Sequence, residues 1–154
     1  MEQHAADRRF SLVCSWLEAL VVLSGVLGGV LVLLPRTALF TAYNATYARA
    51  FWGQEVLSGP ALEQHAFTMG VSGVGVCGWA VTLWFVVRGP FRARQRWAFS
   101  AVAYAVALWA GLDVVLAVVA GVWGEAWFAA AAGVGFGVPL LLAFPAFRRG
   151  VTAG

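Results

Sequence analysis

Residues 98–122, AFSAVAYAVALWAGLDVVLAVVAGV, constrain this chain more than any other stretch. They are apolar throughout except for one interior carboxylate, Asp113. A helix rises ~1.5 Å per residue, so the run extends ~37 Å. That is enough to cross a ~30 Å hydrocarbon layer with some tilt. Arg88, Arg92, Arg94 and Arg96 stand immediately before it. One stretch therefore suggests the solvent, the orientation and the only deep charge.

The composition agrees. Of 154 residues, 62% are hydrophobic and 11% charged. A soluble domain carries about twice that charge, so much of the apolar surface must face lipid. The length suits one domain, residues 1–154. The net charge is +3, with no Lys. The Arg residues cluster beside apolar runs, which is the pattern that orients membrane proteins. No solvated basic face with interleaved aromatics is offered to nucleic acid, and no nucleic-acid partner is expected. Cys14 and Cys77 fall at different expected depths, with no spacing that suggests a disulfide or a metal. The first apolar run is longer than the 7–15 residues of a signal-peptide core, so it reads as a retained span.

The expected architecture is all-α: a four-transmembrane-helix bundle with spans at residues 13–34, 66–87, 98–122 and 126–144. Residues 1–10 read as a short polar tail. Pro35 ends span 1. Within 35–65, Leu39, Phe40, Tyr43, Tyr47 and Phe51 recur at helical spacing, with Asn44 and Arg49 off that stripe. This predicts an amphipathic interfacial helix between spans 1 and 2. Gly59-Pro60 reads as the start of the next helix, and span 2 could begin as early as Ala61. Pro139 should kink span 4 or free a carbonyl. Gly25/Gly29 and Ala129/Gly133/Gly137 have the small-xxx-small spacing that lets helices approach closely, within the bundle or in a homo-oligomer. The tails and the 88–97 loop hold most of the Arg residues, Arg148 and Arg149 included. The positive-inside rule then places both termini in the cytoplasm, with the lipid bilayer of a bacterial cytoplasmic membrane as the expected main partner.

Asp113 leads the candidates for chemistry. A carboxylate near a helix centre costs ~2.5–3.5 kcal/mol on insertion scales, so it should face the bundle and find partners. Depth matching offers Ser24 on span 1, and Ser72, Cys77 and Trp79 on span 2. Ser24, Ser72, Trp79 and Trp109 are the candidate ligand-binding residues. His65, Glu63 and Glu125 belong at the opposite end from the Arg-rich loop, where a His beside a carboxylate can relay protons. The bland reading of each is interfacial polarity or helix glue. Glu18 should pair with Arg94, Arg96 or Arg148. No ligand spacing supports a metal, His4 and His65 lie on opposite sides for a haem, and no cofactor is expected.

His65 followed by a glycine-rich span ending in GWAV (Gly78 to Val81), RQRWAF (Arg94 to Phe99) and LWAGLDVVLAVVAGVW (Leu108 to Trp123) together resemble a group of bacterial four-helix integral membrane proteins of unknown function. The resemblance implies the fold and the membrane, and nothing about mechanism. Two main readings follow. The first is a structural, interaction or lipid-binding membrane protein. The second is a lipid-phase proton-transfer enzyme, of isomerase or cyclase type, using Asp113 and His65. A small oligomeric transporter is a third, weaker reading.

Overall fold

Proline and glycine set the helix boundaries in a computed structural model that describes residues 2–148. Helix α1 (Glu2–Leu33) stops just before Pro35. A 3-10 turn (Ala38–Phe40) leads into the short helix α2 (Thr41–Tyr47), which continues as a π-helical turn (Ala48–Trp52). Helix α3 (Gly59–Val86) begins with a proline in its first turn, where the missing N–H costs nothing. A second π-helical turn (Val87–Phe91) follows it. Helices α4 (Arg96–Val119) and α5 (Trp123–Arg148) complete the chain. No strand occurs among the described residues.

α1, α3, α4 and α5 contain 32, 28, 24 and 26 residues. At ~1.5 Å per residue each exceeds the ~30 Å of a hydrocarbon layer. All four are long and apolar enough to span a membrane. Their outward faces carry Leu23, Val74, Leu112, Leu116, Leu141 and other large apolar side chains, as lipid-facing surface should. This fits a multi-pass membrane bundle.

The bundle is two helix pairs. α1 packs along α3 and α4 along α5; α5 also touches α1, while α3 and α4 meet only thinly. In lipid, helices gain little from burying apolar area against each other, so close backbone approach carries the packing. A Cβ on Gly73 would stand 2.5 Å from the Gly28 carbonyl oxygen, and one on Gly28 would stand 2.8 Å from Cys77 Sγ. The α1–α3 crossing therefore runs through Gly28 and Gly73. Gly25 lies beside Ala80, and Gly29 faces open space. In the other pair a Cβ on Gly133 would come within 2.8 Å of the Ala110 methyl; Ala129 is fully buried, and Gly137 is open. One of the two residues in the first pattern, and two of the three in the second, are thus used inside the chain.

The α4–α5 turn is tight because Gly121 takes a left-handed conformation (φ 73°). Gly121 N–H bonds the Val118 carbonyl at 3.1 Å, and Val122 N–H bonds the Ala117 carbonyl at 2.9 Å. This 6→1, 5→2 closure satisfies the last carbonyls of α4. It also brings Trp123-Gly124-Glu125 into α5, three residues earlier than the expected start of span 4.

Other expectations are corrected at the chain's ends and loops. The N-terminal segment is not a loose tail: it is helical from Glu2, buries Phe10, and joins Asp7 to Arg94 at 2.5 Å. Glu18 pairs with Arg92 at 2.7 Å, rather than with Arg94, Arg96 or Arg148, because the π-helical turn before Arg92 carries it back over α1. Pro139 is buried inside a helix that continues past it. Arg149 lies outside the described residues.

Candidate functional site

α2 is only 7 residues long, too short to hold its own shape in water or at an interface. Side-chain contacts hold it across the end of the bundle away from the Arg-rich loop. Asn44, nearly fully buried, donates from Nδ2 to the Pro35 carbonyl at 3.3 Å. That leaves its Oδ1 facing His65 Nε2 at 3.1 Å, so the ring nitrogen is the donor. One amide thus ties the end of α1, α2 and the first turns of α3. The buried His65 ring packs against the Tyr47 ring, centroids 4.5 Å apart.

The other half of the site reaches α5. Tyr43 and Tyr47 sit one helical turn apart, so both hydroxyls fall on one face. They lie 3.0 Å from each other. Tyr43 donates to Glu125 Oε2, and Tyr47 donates to the same oxygen at 3.4 Å. Backbone contact adds to this: a Cβ on Gly124 would meet Thr46 Cγ2 at 3.0 Å, so α2 rests directly on the first turn of α5. Asp113 is half-buried on α4. Burial, and then the Glu125 carboxylate, hold the Tyr43 phenol far above its ordinary titration range. Burial first, with Glu125 adding to it, pushes Tyr47 up to about 12. Both phenols are therefore neutral donors across the physiological range.

The sequence-level candidates separate on this geometry. Asp113, Glu125 and His65 gather at one end, with His65 linked to the acids through the Tyr47 ring. Glu63 is elsewhere: it forms an exposed ion pair with Arg36 at 2.5 Å. Ser24 donates to its own helix, at the Leu20 carbonyl, 2.9 Å away. Ser72 is exposed on the outer face of α3. Trp79 and Trp109 meet in mid-bundle at 5.6 Å, with Phe136 against Trp79 at 5.7 Å. Cys77 donates weakly to the Gly25 carbonyl at 3.5 Å. Ser24 and Cys77 thus bond backbone carbonyls rather than Asp113.

Sequence reasoning missed Tyr43, Asn44 and Tyr47 as site residues. The stripe was legible, but Asn44 belongs on its buried face, while Leu39 and Phe51 are exposed (68% and 55%). The usable signal was Tyr43 and Tyr47 at i, i+4 with a polar amide between them, a combination that a purely lipid-facing stripe does not need. Among the described residues no cluster of His, Cys, Asp and Glu has metal-binding geometry.

No family model, curated protein or solved structure matches this chain.

Proposed function

We propose that this is a small multi-pass membrane protein of structural or interaction type, in which the α2 end is a latch and the lipid-exposed helix faces are the working surface. The observation that carries this reading is the mutual engagement of the polar groups. Glu125 accepts from Tyr43 and Tyr47, and His65 donates to Asn44. Every buried side-chain nitrogen and oxygen among the described residues has a partner. A catalytic acid or base must present itself to a substrate; these groups present themselves to each other. The Arg distribution supports placing the latch on the outer side of a bacterial cytoplasmic membrane, with both termini inside.

A proton-transfer reading is supported by one specific feature, the Glu125 carboxyl beside two phenol hydroxyls, with Asp113 on the adjoining helix. Thermal melting of the purified protein in detergent separates the two. Structural polar groups stabilise, whereas groups held for chemistry are commonly kept at a cost in stability. The latch reading expects Glu125→Gln and Asp113→Asn to lower the melting temperature. A rise in either variant would overturn it and favour the proton-transfer site.

A further inference from the structure

The Arg-rich end carries a feature that the latch does not use. Between the start of α4 and the end of α5 lies an open cleft of about 500 Å³, lined by Arg96, Phe99, Ser100, Phe144, Phe147 and Arg148. Its floor is rigid. Phe99 packs at a tilt on Phe147 at 5.0 Å and on Phe144 at 5.7 Å, and Phe147 packs on Phe91 at 4.9 Å. Its rim is charged. Arg92 and Arg94 are engaged by Glu18 and Asp7, but Arg96 and Arg148 make no ion pair among the described residues. Arg148 is held over the Phe144 ring at 5.4 Å.

We infer that this cleft binds the phosphodiester headgroup of an anionic phospholipid. Arg96 and Arg148 would hold the phosphate, Ser100 would supply a hydroxyl donor, and the upper acyl carbons would lie on the Phe99–Phe144 surface. Three observations converge on that occupant. The two cations are unpaired and face a common space. Arg binds phosphate through a planar fork of donors. The aromatic floor adjoins the apolar stretches of α4 and α5, so a ligand seated here has its charged part at the rim and its apolar part on the rings. A soluble anion would use the rim alone and leave the floor empty. Basic pockets between spans on the cytoplasmic side are the kind that take such headgroups. The inference adds lipid binding to the reading above; it rests on the chain being in a membrane, but not on the latch.

The test uses the full-length protein in detergent, incubated with dioctanoyl phosphatidylglycerol or dioctanoyl phosphatidylcholine, with retained lipid measured by native mass spectrometry. The phosphatidylglycerol complex should dominate. Each interfacial basic residue is worth about fivefold, so Arg96→Ala with Arg148→Ala should weaken retention by roughly thirtyfold. The Lys pair at the same positions should restore part of it. Ser100→Trp, which fills the cleft and keeps both charges, should also abolish retention. Arg8→Ala with Arg9→Ala, which removes equal charge nearby, should change little. Equal retention of the two lipids, or equal loss in the Arg8/Arg9 control, would overturn the site as non-specific charge. Unchanged retention in Ser100→Trp would overturn the cleft. Displacement of the lipid by millimolar glycerol 3-phosphate or inorganic phosphate would show a free-phosphate site and overturn the lipid assignment. The melting experiment on Glu125 and Asp113 reports on the other end, so either idea can fail alone.

Discussion

At the α2 end, the helices are tied by directional hydrogen bonds among Tyr43, Asn44, Tyr47, His65 and Glu125. At the arginine end, they are tied by the packed rings of Phe10, Phe91, Phe99 and Phe147, with Arg–acid pairs above them. The polar end should be sensitive to the loss of a single atom and to pH, because one oxygen of Glu125 serves two donors. The aromatic end should be sensitive to volume and indifferent to pH. The short α2 needs bonds to be held at all, whereas long helices converging at a loop can interlock by shape.

The largest expected effect is at the aromatic end. Phe91→Ala should cost about 2–3 kcal/mol, read by denaturant or thermal unfolding in detergent. A water-soluble core loses ~3–5 kcal/mol in such a change, but lipid already solvates apolar side chains in the membrane-inserted unfolded state, so chiefly the cavity remains. Hydrogen exchange should rise in residues 88–99 and stay constant in 41–52. Equal loosening of both regions would mean that the ends are coupled.

Next in size is Glu125→Ala, at about 2 kcal/mol, because it strands two tyrosine hydroxyls. Its exchange pattern should be the converse, with α2 loosening and the Phe91 region unchanged. Tyr43→Phe removes one donor and should cost about 1 kcal/mol.

A smaller effect is pH dependence. The phenol of Tyr47 titrates near 10.0 when unfolded and is pushed up to about 12 in the fold. Between those values the unfolded chain has lost a proton that the folded chain keeps, so stability must fall as pH rises. Its contribution is complete below pH 10 and is lost through about 12. Melting temperature should drop from pH 9 to pH 11.5; Tyr43, held higher still, adds to that slope, so Tyr47→Phe should reduce it and the double Phe variant should flatten it. An unchanged slope in the variant would place the sensitivity elsewhere.

The smallest expected effect is that of Arg92→Ala. Its pair with Glu18 is partly exposed (39% and 17%), so the cost should stay below ~1 kcal/mol and shrink further in 1 M salt.

Much of the fold was legible because it depends on hydropathy and length alone. Four apolar runs, Pro35, Gly59-Pro60 and the Arg clusters need no knowledge of tertiary contacts to mark helices and turns. Helix ends were less legible. The charged residues near Glu2 and Arg148 interrupt the apolar signal, yet the backbone continues helical through them, since polar helix ends extend readily into the interfacial layer. The site was half legible. Asp113, Glu125 and His65 announce themselves as ionisable groups in or beside apolar runs, but Tyr43 and Tyr47 look like any interfacial aromatic until Glu125 is placed under them. Glu63 carries the same sequence signal as Glu125 and belongs to a surface pair with Arg36 instead.

The amino-acid order by itself determined the solvent, the number of long helices and the residues whose charge would be costly if left alone. Those follow from transfer free energies, which each segment carries wherever it sits. Only the tertiary structure decided how Glu125 and His65 are partnered. The left-handed Gly121 turn sets the register of α5 on α4, and with it the position of Glu125. The Gly28–Gly73 crossing fixes α3 against α1, and with it His65. Tyr43 and Tyr47 can bridge to Glu125 in the second pair only once Asn44 holds α2 against the first. Partner choice depends on distances of a few ångströms between segments far apart in the chain, and local sequence does not encode such distances.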